Sequence, residues 1–100
     1  MIILEKGHKY GLNNFEGESF QEIQFIEKAE MPGGSLSTVK NGTTNEEVIM
    51  VLIDRMQFLN SKLPSRESSL AITKLEEALM WLNKRTENRK ERGVEGTAKP

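Results

Sequence analysis

Residues 43–83 read TTNEEVIMVLIDRMQFLNSKLPSRESSLAITKLEEALMWLN, and this stretch decides the fold. Val48, Ile49, Leu52, Ile53, Met56 and Leu59 recur at three- and four-residue spacing, the period of one apolar helix face. Thr44 stands where an N-cap belongs, and Glu47, three residues on, can reach back to it as in a capping box. Glu46 and Glu47 also suit the positive end of a helix dipole. Leu63-Pro64 ends this helix near Lys62, because the residue before a proline avoids the α region. Ser65 can cap a second helix with apolar positions at Leu70, Ile72, Leu75, Ala78, Leu79 and Leu82. Ile72, Leu75, Leu79 and Leu82 form a heptad-like seam. The helix is expected to run to about Lys90, with Gly93 and Gly96 marking its end. The connection at Leu63–Ser65 is short, so the two helices should fold back as an antiparallel hairpin.

Upstream, the period changes. Ile2 to Leu4 is short and apolar, and Lys6-Gly7 and Gly11 to Gly17 read as loops. Residues 19–30 read as one strand anchored by Phe20, Ile23, Phe25 and Ile26, although its alternation is imperfect. Pro32-Gly33-Gly34 is a turn into a second strand, Leu36 to Lys40, which makes a hairpin. Asn41-Gly42 should close it with positive-φ turn chemistry. The expected class is therefore α+β: a small N-terminal antiparallel β region over residues 1–42, then an antiparallel two-helix hairpin over residues 44–92. Residues 93–100 read as a flexible tail.

One hundred residues allow a single domain, and a core this small makes self-association a natural remedy. The net charge is −1, which gives no overall signal for DNA, RNA or a membrane. Its distribution is uneven. Residues 1–43 and residues 44–83 each carry four Lys/Arg against six Asp/Glu, whereas residues 84–100 carry six against three. A basic C-terminal segment on an acidic body points to an anionic ligand. With no cysteine there are no disulfides, no zinc–thiolate site and no thiol chemistry. A domain this small without disulfides fits a reducing compartment. The start, Met-Ile-Ile-Leu-Glu, has neither a basic n-region nor an apolar stretch of signal length.

Catalytic constellations are missing. His8 is the only histidine and sits in a loop; a Ser–His–Asp or zinc site would hang on that one residue, which reads as an ordinary surface histidine. The pairs Glu46/Glu47 and Glu76/Glu77 read as caps and solvated faces. Gly33-Gly34 lacks the Lys-Ser/Thr of a phosphate loop. General acid–base catalysis needs a titratable group poised in a pocket, and none can be nominated. No enzyme activity, cofactor or metal is expected.

Binding is better served. Arg85, Arg89 and Arg92, spaced four and then three apart, fall on one helical face. Arginine forks grip phosphate bidentately, although basic residues at a helix C-terminus also simply favour the dipole. Phe58, near Arg55 and Asn60, could stack on a base or belong to the core; Asn60 could read a base edge or end the helix. Arg66 sits against the dipole in the first turn of a helix, which fits either an ion pair such as one with Glu67 or a ligand phosphate. Trp81 is one residue off the seam, suited to another subunit or to the core.

The stretches Leu63-Pro64-Ser65-Arg66-Glu67 and Leu70 to Leu82 resemble the helical-hairpin domain shared by two phage anti-defence families, the Thoeris-blocking sponge and the CBASS-blocking cyclic-dinucleotide sponge. The whole chain is more similar to the Thoeris-blocking type, through Asn41 to Val48, Arg85-Thr86-Glu87-Asn88-Arg89 and Gly93-Val94-Glu95-Gly96-Thr97. The resemblance covers most of residues 1–97 as one domain; it is long and specific in the hairpin and weaker in the β region. It implies sequestration without cleavage of a cyclic nucleotide immune signal, in the cytoplasm of the infected bacterial host. The ligand it implies is a cyclic ADP-ribose isomer, with cyclic di- or trinucleotides at separate sites in some members. The implied assembly is a homo-oligomer, a dimer or a hexamer built from dimers.

Carried over residue by residue, the ADP-ribose-type pocket falls on Phe58, Ser68, Arg85 and Arg89. The family often has Asn at the position of Ser68, whose shorter side chain weakens that contact. Arg66 matches a family arginine at the hairpin turn that the resemblance assigns to cyclic oligonucleotides. Phe58 and Arg85 lie at different distances from the turn, so a site using both would form between two chains. Three alternatives stand beside this: a sponge specific for CBASS cyclic oligonucleotides, an enzyme hydrolysing the same nucleotide, and a helical interaction module without a ligand. Apart from the resemblance, the interaction module is the stronger of these readings.

Overall fold

The computed structural model describes residues 1–100. The order is five strands followed by two helices, α+β as expected, and the chain divides into two units, Met1–Thr44 and Asn45–Pro100.

In the first unit, β1 (Ile2–Glu5), β2 (Lys9–Asn13) and β3 (Phe20–Gln24) form an antiparallel sheet with β2 in the centre. A second sheet pairs β4 (Glu27–Glu30) with β5 (Leu36–Lys40), also antiparallel, around the expected turn at Pro32-Gly33-Gly34. Both turn glycines have positive φ, 93° and 86°. The Lys40 ammonium reaches from β5 to the Glu5 carboxylate on β1 at 2.6 Å. That hydrogen bond holds the Glu5 carboxyl below its ordinary pKa and raises that of Lys40.

Three segments of the β unit depart from the expectation of one strand at 19–30, a loop at Gly11 to Gly17 and positive φ at Asn41-Gly42. Residues 19–30 are two strands in two sheets, broken where the alternation fails, at the adjacent apolar pair Phe25 and Ile26. The backbone there leaves one sheet for new partners: Phe25 N–H donates to His8 O at 2.7 Å, and Ile26 N–H to Thr43 O at 2.9 Å. The Phe25 ring meets Tyr10 edge-on, 6.0 Å between centroids.

Gly11 to Asn13, read as loop, lies instead in the central strand. Gly11 serves there because a Cβ would come within 2.9 Å of the Phe20 ring. The missing side chain that made the segment look like loop is what lets Phe20 cross the sheet.

Neither Asn41 nor Gly42 has positive φ. Gly42 is needed for close approach: a Cβ would stand 2.5 Å from Gln24 O and 2.6 Å from the Phe25 carbonyl carbon. Both are backbone atoms, fixed by the Thr43 N–H bond to Gln24 O at 2.9 Å. Gly42→Ala should therefore cost about 1–3 kcal/mol, the range for forced overpacking. A thermal melt followed by circular dichroism should fall by several degrees; an unchanged melt would mean the crossing at Gln24 can open.

The second unit is the helical hairpin, α1 (Asn45–Lys62) and α2 (Arg66–Glu91). Ser65 caps α2, its side chain accepting from Ser68 N–H at 3.0 Å. Ile49, Ile53 and Met56 of α1 and Leu75, Leu79 and Leu82 of α2 are half-buried along the seam. Only Ile72, 8% exposed, is a buried apolar side chain anywhere in the protein. Leu52 and Leu59, read as part of the apolar face, stay exposed, as do Met80 and Trp81. One partner helix covers one stripe of α1, and the apolar arc of α1 is wider than that. No helix is long and apolar enough to cross a membrane.

Candidate ligand-binding site

Phe58 faces outward from the last part of α1 with 58% of its surface exposed, so it is not a core residue. An open groove of about 860 Å³ runs beside it, lined by Val51, Asp54, Arg55 and Gln57. The Lys62 ammonium lies over the ring, 4.9 Å from its centroid. Lys62 is absent from the residues the sequence singles out, although its i,i+4 spacing from Phe58 carries the signal.

The turn between the helices is clamped by Asn60. Its Oδ1 accepts from Ser65 N–H at 3.0 Å, and its Nδ2 donates to Ser69 Oγ at 3.2 Å. Of the two roles the sequence offered Asn60, this is the helix-ending one. Ser68 is half-buried in the first turn of α2, with its backbone N–H committed to the cap. Arg66 is exposed beside it and forms no ion pair with Glu67.

The three arginines at the far end of α2 do not act as one set. Arg85 is exposed, with neither a carboxylate nor a carbonyl on its guanidinium. Arg89 is half-buried on the continuation of the seam. Its Nη1 donates to Lys99 O and Pro100 O at 2.8 and 3.2 Å, and its Nη2 to Val94 O and Thr97 O at 3.1 and 2.9 Å. Residues 93–100, read from the sequence as a flexible tail, supply those acceptors. Arg92 lies beyond the helix as its C-cap and donates to Asn88 Oδ1 and Pro100 O. The expected common face fails because α2 stops at Glu91, and because the chain then turns back over Arg89.

Phe58 and Arg85 are not brought together within one hairpin. Counting from the turn at Ser65, they sit about 10 and about 30 Å along antiparallel helices, at 1.5 Å per residue. Adjoining the Phe58 groove, with which it shares Met50, Asp54 and Gln57, an open groove of about 720 Å³ between the helices is lined by Ile53, Leu79, Met80, Trp81 and neighbouring polar residues. Trp81 is 55% exposed there. In the β unit, His8 Nε2 lies 3.8 Å from Glu27 Oε1, and no three His, Asp or Glu side chains converge as a metal site would need. The arrangement offers an aromatic surface with a cation at one end of the hairpin, and at the other one exposed guanidinium, Arg85, beside two that the tail engages, Arg89 and Arg92.

Two comparisons bear on what this hairpin is. The family described as Acb2/Tad1, hairpin domain, matches residues 22–87, which include Phe58, Arg66, Ser68 and Arg85. The chain is also 62% identical over 58 residues to Thoeris anti-defense 1 of Bacillus phage SBSphiJ7, a stretch that is 57% of this chain and 41% of that relative. The match thus spans about two-fifths of the length of that relative. With two thirds of its length, including both helices to within a turn of the end of α2, inside the family match, the chain belongs to the Acb2/Tad1 hairpin-domain family.

Proposed function

We propose that this protein is a phage anti-defence sponge that binds a cyclic ADP-ribose isomer and holds it uncleaved, so that a Thoeris effector in the host cytoplasm goes unactivated. Membership of the hairpin family and the likeness to Thoeris anti-defense 1 support the anti-defence role. The observation that supports the ligand class is that one chain presents both an exposed Phe58 and an unpartnered Arg85, at different ends of its hairpin. A base needs a π surface, and a diphosphate needs charged forks. Arg89 joins by exchanging its tail oxygen acceptors for those of a phosphate.

The site is composite. A cyclic dinucleotide-sized ligand is too small to touch Phe58 and Arg85 of one hairpin, about 20 Å apart along the axis by helix rise. A second copy running the other way places its arginines beside the first copy's Phe58. The exposed apolar residues of both helices and the single buried Ile72 support such a homo-oligomer. Hydrolysis would need a poised base or a metal set; the carboxylates nearest the site, Asp54 beside Phe58 and Glu87 between Arg85 and Arg89, belong to no cluster of three metal-ligating side chains.

A second reading rests on Arg66. Exposed and unpaired at the α2 N-terminus, it suits a cyclic di- or trinucleotide at a separate site.

The test is thermal melting against cyclic ADP-ribose, its glyco-linked isomers, cyclic dinucleotides and a cyclic trinucleotide, followed by heat release and chromatography of the ligand. At 100 times its dissociation constant a ligand adds about 2.7 kcal/mol, a shift of several degrees. The expected result is a shift with an ADP-ribose isomer that is recovered intact. Recovery of a cleaved product would make the protein an enzyme. A shift confined to cyclic oligonucleotides and lost in Arg66→Ala would move the function to CBASS. No shift with any of them would leave a helical interaction module.

A further inference from the structure

We infer that Lys62 is a ligand-contacting residue of the Phe58 half-site: its ammonium rests on the Phe58 ring in the free protein and moves to a ligand phosphate when a base takes that ring. This rests on the sponge reading and adds a residue and a resting state to it.

The ammonium lies 4.9 Å from the ring centroid, within cation–π range. It has no carboxylate partner, although acidic residues are as common as basic ones in this chain. At an exposed site such a contact is weak, so it holds the side chain without locking it. A base stacking on the covered face must displace the ammonium. The four-carbon stem then leaves the charge within one side-chain length of the stacked nucleotide, where the phosphate is the strongest acceptor on offer.

The flanks of the ring decide which end the phosphate takes. Arg55, three residues before Phe58, shares its groove with Asp54, so that flank is close to neutral. Lys62, four residues after, has no such neighbour, and the exposed Arg66 lies just beyond it across the turn. The helix dipole works against this end, being negative at the α1 C-terminus. A full positive charge at the ring edge outweighs a partial charge that is screened by solvent. The phosphate side of a base on Phe58 is therefore the Lys62 side. The Arg85 and Arg89 forks of a second copy would take the remaining phosphate oxygens.

The experiment measures binding of the cyclic ADP-ribose isomer that stabilises the wild type, by isothermal titration calorimetry at low and moderate salt. The variants are Lys62→Ala, Lys62→Gln and Lys62→Arg, with Lys74→Ala on the exposed face of α2 as a control. Lys62 is exposed, so each variant should melt like the wild type before ligand is added. Lys62→Ala and Lys62→Gln should weaken binding about fivefold, the upper range for a solvent-exposed ion pair, with a shallower dependence on salt. Lys62→Arg should keep most of the affinity, and Lys74→Ala all of it. Unchanged or tighter binding by Lys62→Ala would overturn the inference, since Lys62 would then only shield the ring. Failure of the wild type to bind any ligand would overturn the sponge reading itself and this inference with it.

Discussion

Phe58→Ala and Arg85→Ala proteins, each defective alone, should recover ligand binding when they are refolded together. Phe58→Ala removes a stacking surface worth about 1–3 kcal/mol per base. Arg85→Ala removes charge-assisted bonds worth about 1.5–3 kcal/mol. Either loss weakens binding by about tenfold to a hundredfold. In a two-fold dimer with composite sites, a mixed pair holds one site with both defects and one site with neither. Random pairing then restores about a quarter of the wild-type capacity at wild-type affinity, the statistical share for a two-fold assembly. Titration calorimetry of the co-refolded mixture reads this directly as stoichiometry. A site built within one protomer would leave every site in the mixture defective, and no tight fraction would appear. The outcome decides between one hairpin and two without any need to see the ligand bound.

The melting temperature should rise with protein concentration. A chain whose only buried apolar side chain is Ile72 does not enclose a core of its own. Leu52, Leu59, Met80 and Trp81 lie exposed along the helices, apolar surface that a second copy would cover. Folding coupled to dimerisation gains about 1.4 kcal/mol for each tenfold rise in concentration. For some 200 residues melting together, that is about 3–6 °C. A dilution series by differential scanning fluorimetry or calorimetry supplies the measurement. Trp81→Ala should lower the melt and steepen its dependence on concentration if the groove it lines is covered by a second copy. A melt independent of concentration would make the chain a monomer held by its one seam, and it would remove the composite site as well.

The helical hairpin was legible in the residues almost to its ends, at Lys62 and near Lys90. Helix hydrogen bonds close within four residues, so a cap at Ser65, a break at Leu63-Pro64 and a seam from Ile72 to Leu82 are all written locally. Helical spacing also singles out Phe58, Arg66, Arg85 and Arg89 as candidates on that hairpin, whereas Ser68 enters only through the family resemblance. The Lys62 contact is equally local, four residues from Phe58, yet the sequence reading does not single it out. Tertiary structure decided what depends on distant partners. Strand pairing is non-local, so the break at Phe25–Ile26, forced by hydrogen bonds to His8 and Thr43, could not be read from residues 19–30 alone. Gly11 and Gly42 look like turn residues until Phe20 and Gln24 are seen to need the space. Arg89 looks like a free fork until the chain folds back and sets four main-chain oxygens on it. In each case a residue's role was set by what the fold brought against it, and only a backbone already in place could make that contact.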